Sequence, residues 1–156
     1  MNLRPPVKKI DDLNDEWDED CFVDYDSTFL DKELLKIPSL HAKYSRIRSH
    51  HKQVFFALEA EYRQMKELRR EWMEGKSELE TLEKYNWYQW QGQPVNTRVA
   101  QEARLAEDPV LTKILMKKKI HEIIIDQCEG YIKQLHDRNY AIRGAIDSRK
   151  YLKGHD

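Results

Sequence analysis

LLKIPSLHAKYSRIRSHHKQVFFALEAEYRQMKELRREWMEG, residues 34–75, decides how the chain folds. Pro38 and Ser39 read as a helix start, because the residue before a proline is biased away from helix and serine caps a first turn well. Gly75 reads as the stop, since glycine takes the left-handed conformation that follows a last turn. Between them Tyr44, Ile47, Val54, Leu58, Tyr62, Met65, Leu68 and Trp72 recur at helical spacing. The spacing predicts one long amphipathic helix over about 39–74. From Lys43 to Arg70 eight Lys/Arg stand against three Glu, a surplus of +5. A helix with that sign of charge suits a polyanion, whose condensed counterions are released as its phosphates are neutralised.

Outward from this stretch the chain stays helical in character. Of its 156 residues 40% are hydrophobic and 35% charged, and Gly and Pro number only 5 each. Mean hydropathy is −0.87. Few breakers and no alternating β-branched runs argue against a sheet. The expected fold is all-α, an elongated helical protomer that buries apolar stripes against other copies. Charge is segregated although the net is −1: −6 over residues 1–30, +5 over 43–70, −4 over 71–112 and +4 over 113–156. Such local fields attract different partners.

Residues 1–20 read as an acidic arm, flexible or weakly helical, with Leu13 and Trp17 spaced to dock on a partner. Residues 21–105 read as a helical region holding the basic helix, with a short helix over 26–36 capped by Asp26 or Ser27. The aromatic segment Tyr85, Trp87, Tyr88, Trp90 begins helical and ends as a loop near Gly92 and Pro94. Residues 106–156 read as a C-terminal oligomerisation helix that starts at Asp108–Pro109 and stops before Gly154. Its seam is Ile125, Cys128, Ile132, Leu135, Asn139, Ile142 and Ile146, at alternating steps of 3 and 4. Ile120, Ile123 and Ile124 widen the stripe, which suits a bundle or ring of helices more than a two-stranded seam.

Arg63, Lys66 and Arg70 share one helix face, and Arg69 lies at the edge of the apolar stripe near Trp72. Basic residues beside aromatic rings are what single-stranded nucleic acid needs, charge for phosphates and rings for bases. The bland alternative is a solvated face that pairs with Glu59, Glu61 and Glu67. Lys117, Lys118 and Lys119 fan around their helix and cannot meet one ligand. No phosphate-binding glycine loop, zinc signature or catalytic constellation is present, so neither an enzyme nor a cofactor or metal site is expected. Cys21 and Cys128 are far apart and point to a reducing compartment. No secretory leader and no apolar run of membrane-spanning length is read.

Three stretches resemble a known family. LLKIPSLHAKY (34–44), KELRREWMEG (66–75), and AEDPVLTKILMKKKIHEII (106–124) followed by DRNYAIRGAIDSRKYLKG (137–154) are similar to the UvsY family of phage recombination mediators, of the T-even and cyanophage type. The resemblance runs collinearly from about residue 22 to the end. It implies an all-helical protomer joined through its C-terminal helix into a ring, a heptamer in the best-known member. It implies binding of single-stranded DNA, contact with a UvsX-type recombinase and with the phage single-stranded DNA-binding protein, and the loading of recombinase onto covered DNA. The implied location is the host cytoplasm. The family's Lys-x-Arg DNA motif falls on Lys66 and Arg69, here with two residues between them, Glu67 and Leu68, rather than one. The alternative class is a helical coiled-coil scaffold without nucleic-acid affinity; a nuclease would need carboxylates clustered on a folded core.

Overall fold

The computed structural model describes residues 9–154, and among them are five helices and no strand. In chain order these are α1 (Ile10–Asp20), α2 (Leu30–Met73), α3 (Leu79–Tyr85), α4 (Arg98–Ala106) and α5 (Pro109–Lys153). The chain divides into two compact units. One combines residues up to Gln53 with those from Glu122 onward; the other spans Val54–His121. This division differs from the expected boundaries at residues 20 and 105, because α2 and α5 each run through both units.

α2 starts earlier than the sequence suggests. Pro38 lies inside it, and the expected short helix over 26–36 is its first turns. Proline removes one N–H and crowds the preceding turn, yet Asp31 and Glu33 favour the N-terminal end of the helix dipole. The chain before it turns through Ser27, whose Oγ accepts the Phe29 N–H at 3.2 Å. The stop at Gly75 is as read. Gly75 has φ +74°, its N–H donates to the Trp72 carbonyl at 3.0 Å, and the Lys76 N–H donates to the Glu71 carbonyl at 3.0 Å. These two bonds make a Schellman closure.

In the first unit the core is α1 laid on the early part of α2 and the late part of α5. Leu13, Tyr44, Ile124, Cys128 and Leu135 are fully buried there. Trp17 stacks on Tyr131 with centroids 4.1 Å apart and planes 5° from parallel, and meets the edge of Tyr44 at 5.1 Å. Asp20 accepts hydrogen bonds from the Tyr44 hydroxyl at 3.0 Å and from Lys43. Burial would lower the Lys43 pKa, but its bonds to Asp20 and Glu16 outweigh that and raise it. Residues 10–20 are therefore the helical form of the expected arm, packed on the chain itself, and Leu13 and Trp17 are taken by the chain's own core rather than left for a partner. The rest of the expected arm, residues 1–8, lies outside the described residues. Arg138 donates to the Cys21 carbonyl, and Arg149 to the carbonyls of Ser27 and Tyr25, which pins the connection between α1 and α2 to α5.

In the second unit Leu58, Met65, Met73, Leu105, Leu111 and Ile114 form the buried centre. Tyr85, Trp87 and Trp90 pack around it with Tyr62, Leu68 and Trp72. α3 ends at Asn86, which takes the left-handed conformation at φ 55°. The loop then returns to the end of α2, where the Val95 N–H donates to the Met73 carbonyl at 2.9 Å.

Candidate nucleic-acid interface

The basic residues of α2 in the second unit divide into two sets with opposite environments. Arg63 is exposed, and Lys66 and Arg70 are half-exposed beside it. Positions 63, 66 and 70 recur at steps of 3 and 4, so a helix brings them to one face. Arg63 has no ion-pair partner among the described residues. Lys66 Nζ lies 3.3 Å from Glu102 Oε2, and Arg70 Nη2 lies 3.1 Å from Glu102 Oε1. Arg70 also pairs with Glu67 one turn before it. The Glu102 carboxyl is held below its ordinary value by the Lys66 hydrogen bond first, and by the charges of Lys66 and Arg70. Lys118, one of the three consecutive lysines, is taken by Glu59 at 3.2 Å.

Arg69 is elsewhere. It is 7% exposed, and its Nε donates to Asp108 Oδ2 at 2.8 Å. Its guanidinium lies 3.9 Å from the Trp72 ring centroid and 4.7 Å from that of Trp87. A planar guanidinium stacked on indoles with its charge matched by a buried carboxylate is a structural link. The position one residue before Arg70 is rotated about 100° from it, which turns the side chain from the basic face to the apolar stripe. Asp108 is the N-cap foreseen for α5: its Oδ1 accepts the N–H groups of Val110 at 2.9 Å and Leu111 at 3.2 Å.

Two features of this region were missed in the sequence. Glu102 carries no local signal, since its partners lie 36 and 32 residues away on α2. The aromatic segment after α3 is a brace for the end of α2. Trp72 Nε1 donates to the Tyr88 carbonyl at 2.6 Å, Trp90 Nε1 donates to the Gln93 carbonyl at 3.0 Å, and Trp72 meets Trp90 edge-on at 4.8 Å. Tyr88 itself points outward, 87% exposed.

The expected oligomerisation seam is divided in the same way. Ile125, Cys128, Leu135 and Ile142 are buried within the chain, while Ile132, Asn139 and Ile146 are half-buried. Half of an apparently intermolecular stripe is thus covered by the chain's own helices. Ile132, Leu135 and Asn139 line a groove of about 500 Å³ with Ile37, Pro38 and His41 of α2.

The described residues form an all-helical chain with a basic face on α2, and among them no His/Cys/Asp/Glu grouping could hold a metal ion. The profile of the family described as "Recombination, repair and ssDNA binding protein UvsY" matches residues 16–155, and the chain belongs to that family. Solved structures agree in fold. The recombination mediator protein UvsY of bacteriophage T4, in lattice type II, superposes with a TM-score of 0.77 at 20% identity over 94% of this chain and 98% of that one. Lattice types IV and I of the same T4 protein give 0.75 and 0.74 at 20% identity, over 92% and 90% of this chain and 99% and 98% of theirs. Comparison with curated proteins finds no match. Among the described residues no helix is long and apolar enough to cross a membrane.

Proposed function

We propose that this chain is a recombination mediator that binds single-stranded DNA through the Arg63, Lys66 and Arg70 face of α2. It acts by binding rather than by catalysis, in the host cytoplasm. The observation that supports this best is the conjunction of the family match over residues 16–155 with a cationic face on α2 that leaves Arg63 unpaired among the described residues. Arg69 then acts indirectly, fixing the end of α2 against the start of α5 through Asp108. Several copies, associating through the exposed side of α5 with Ile132, Asn139 and Ile146, present the face repeatedly, so weak contacts add by avidity. A ring of such copies, a heptamer as the family resemblance implies, holds the strand while a UvsX-type recombinase replaces the phage single-stranded DNA-binding protein.

The test is fluorescence anisotropy of a labelled thymidine oligonucleotide titrated with protein at several salt concentrations. The expected result is binding that falls log-linearly with salt, with a slope near −0.7 for each neutralised phosphate. Absence of binding at low salt, from protein shown to be helical by circular dichroism, leaves the helical scaffold as the better account.

A further inference from the structure

We propose that the seat between Lys66 and Arg70 is a phosphate subsite, and that the Glu102 carboxylate is a resident phosphate mimic that DNA must displace. This rests on the DNA-binding reading above. The two oxygens of Glu102 each meet a different cation, at 3.3 Å and 3.1 Å. That is how two non-bridging oxygens of a phosphodiester are held, one by an ammonium and one by an arm of a guanidinium. The Arg70 fork is preset by Glu67, so the seat exists without reorganisation. It is also open: the Glu102 side chain is 46% exposed.

The mimic is supplied by a separate element. α4 is anchored by Leu105 in the core and by Gln101, whose Nε2 donates to Glu74 Oε1 at 2.8 Å and to the Val95 carbonyl at 2.7 Å. With Gln101 and Leu105 one turn apart and facing inward, Glu102 is carried alongside α2. A carboxylate and a phosphodiester each bear one negative charge, so the exchange keeps the seat neutralised while the freed Glu102 returns to water. Exposed pairs of this kind are individually weak, so the exchange is reversible. The device lowers the affinity of each copy for DNA and makes occupancy depend on several copies acting together.

The decisive comparison measures anisotropy with a labelled thymidine oligonucleotide for the wild-type chain, Glu102→Gln, Glu80→Gln and the triple variant Lys66→Gln/Arg70→Gln/Glu102→Gln. Glu80, exposed in the first turn of α3, gives the same charge change away from the seat. Glu102→Gln should bind about three- to tenfold tighter, from removal of two exposed pairs; Glu80→Gln should stay within about twofold, and the gain should vanish in the triple variant. Glu102→Asp, too short to bridge both cations, should fall between wild type and Glu102→Gln and serves if the latter loses helicity. Equal affinity of Glu102→Gln and wild type, an equal gain in Glu80→Gln, or a gain that survives loss of Lys66 and Arg70 overturns the subsite while leaving DNA binding intact. No binding by any of the four at low salt overturns the DNA-binding reading and the subsite together.

Discussion

The carboxylate of Asp108 receives the Arg69 Nε–H at 2.8 Å on one oxygen and caps the first turn of α5 with the other. Two functions thus converge on one buried side chain, and the cation it neutralises lies against the rings of Trp72 and Trp87. Removing one partner strands the other as a buried charge, which costs on the order of 3–5 kcal/mol. Arg69→Ala and Asp108→Ala should each lower the urea midpoint severely, with Asp108→Ala also losing about 1 kcal/mol of capping. The double variant should be less destabilised than the sum of the two, because neither charge is left alone. Strict additivity would mean that the pair is not coupled.

The exposed face should behave in the opposite way. Arg63→Ala removes a side chain without an ion-pair partner among the described residues, so stability should change by no more than about 0.5 kcal/mol. Its affinity for single-stranded DNA should drop, and the log–log salt slope should become shallower by about 0.7. An unchanged slope with unchanged affinity would remove Arg63 from the interface.

What was legible in the sequence was what local chemistry dictates. Gly75 announces its own positive φ, and Asp108–Pro109 announces a cap, because each signal acts within a turn of the residue that carries it. Of the positions read along α5, Cys128, Leu135 and Ile142, seven apart, are fully buried, while Ile132, Asn139 and Ile146 are half-buried. What periodicity cannot say is who covers a stripe. Trp17 and Tyr131 are 114 positions apart in the chain, and nothing local to either marks the other as its stacking partner. An acidic segment with two apolar residues therefore read as an arm. For Arg69 the sequence marks the edge of the apolar stripe and the nearness of Trp72, but not Trp87 or Asp108, which lie 18 and 39 positions further along the chain. Pro38 misled because a breaker signal is a local preference that a long, well-packed helix overrides.

The stacked ring pair supplies the next test. Trp17 is 7% exposed and touches both Tyr131 and Tyr44. Trp17→Ala should cost roughly 3–5 kcal/mol from lost burial and the cavity left behind. A docking arm would give a different result: stability would be unaffected and only partner binding would suffer. Denaturation of the isolated protein separates the two.

Acid should loosen the end of the second unit. The Glu74 carboxyl is held below its ordinary value by the Gln101 hydrogen bond and then by Lys76, and the Glu102 carboxyl by Lys66 and then Arg70. Because both values are depressed on folding, the unfolded chain takes up these protons more readily than the folded one. Their stabilising contribution is complete above the ordinary value of 4.5 and is lost as pH falls through the lowered folded values. The urea midpoint should therefore decline on acidification from below about pH 5. The double variant Glu74→Gln/Glu102→Gln should show a shallower decline over the same window. A parallel decline in both proteins would assign acid sensitivity to other carboxylates.

The two cysteines offer a direct check on the packing of α1 against α5. Cys21 ends α1 at 4% exposure, Cys128 is fully buried on α5, and both belong to the same core cluster. Burial is the main reason that the Cys21 thiol is pushed up to about 11; the nearby Arg138 pulls it partway back down. Thiolate, not thiol, is the reactive species. At mildly alkaline pH a raised value leaves little thiolate, and burial keeps reagent out. Iodoacetamide should therefore label native protein far more slowly than the same chain in denaturing urea, where both cysteines should react fully. Trp17→Ala should accelerate labelling of the native state, because the stack on Tyr131 helps hold α1 over Cys128. Rapid labelling of Cys21 in the otherwise folded wild type would mean that α1 detaches from α5 in solution, and would return residues 10–20 to the role of a mobile arm.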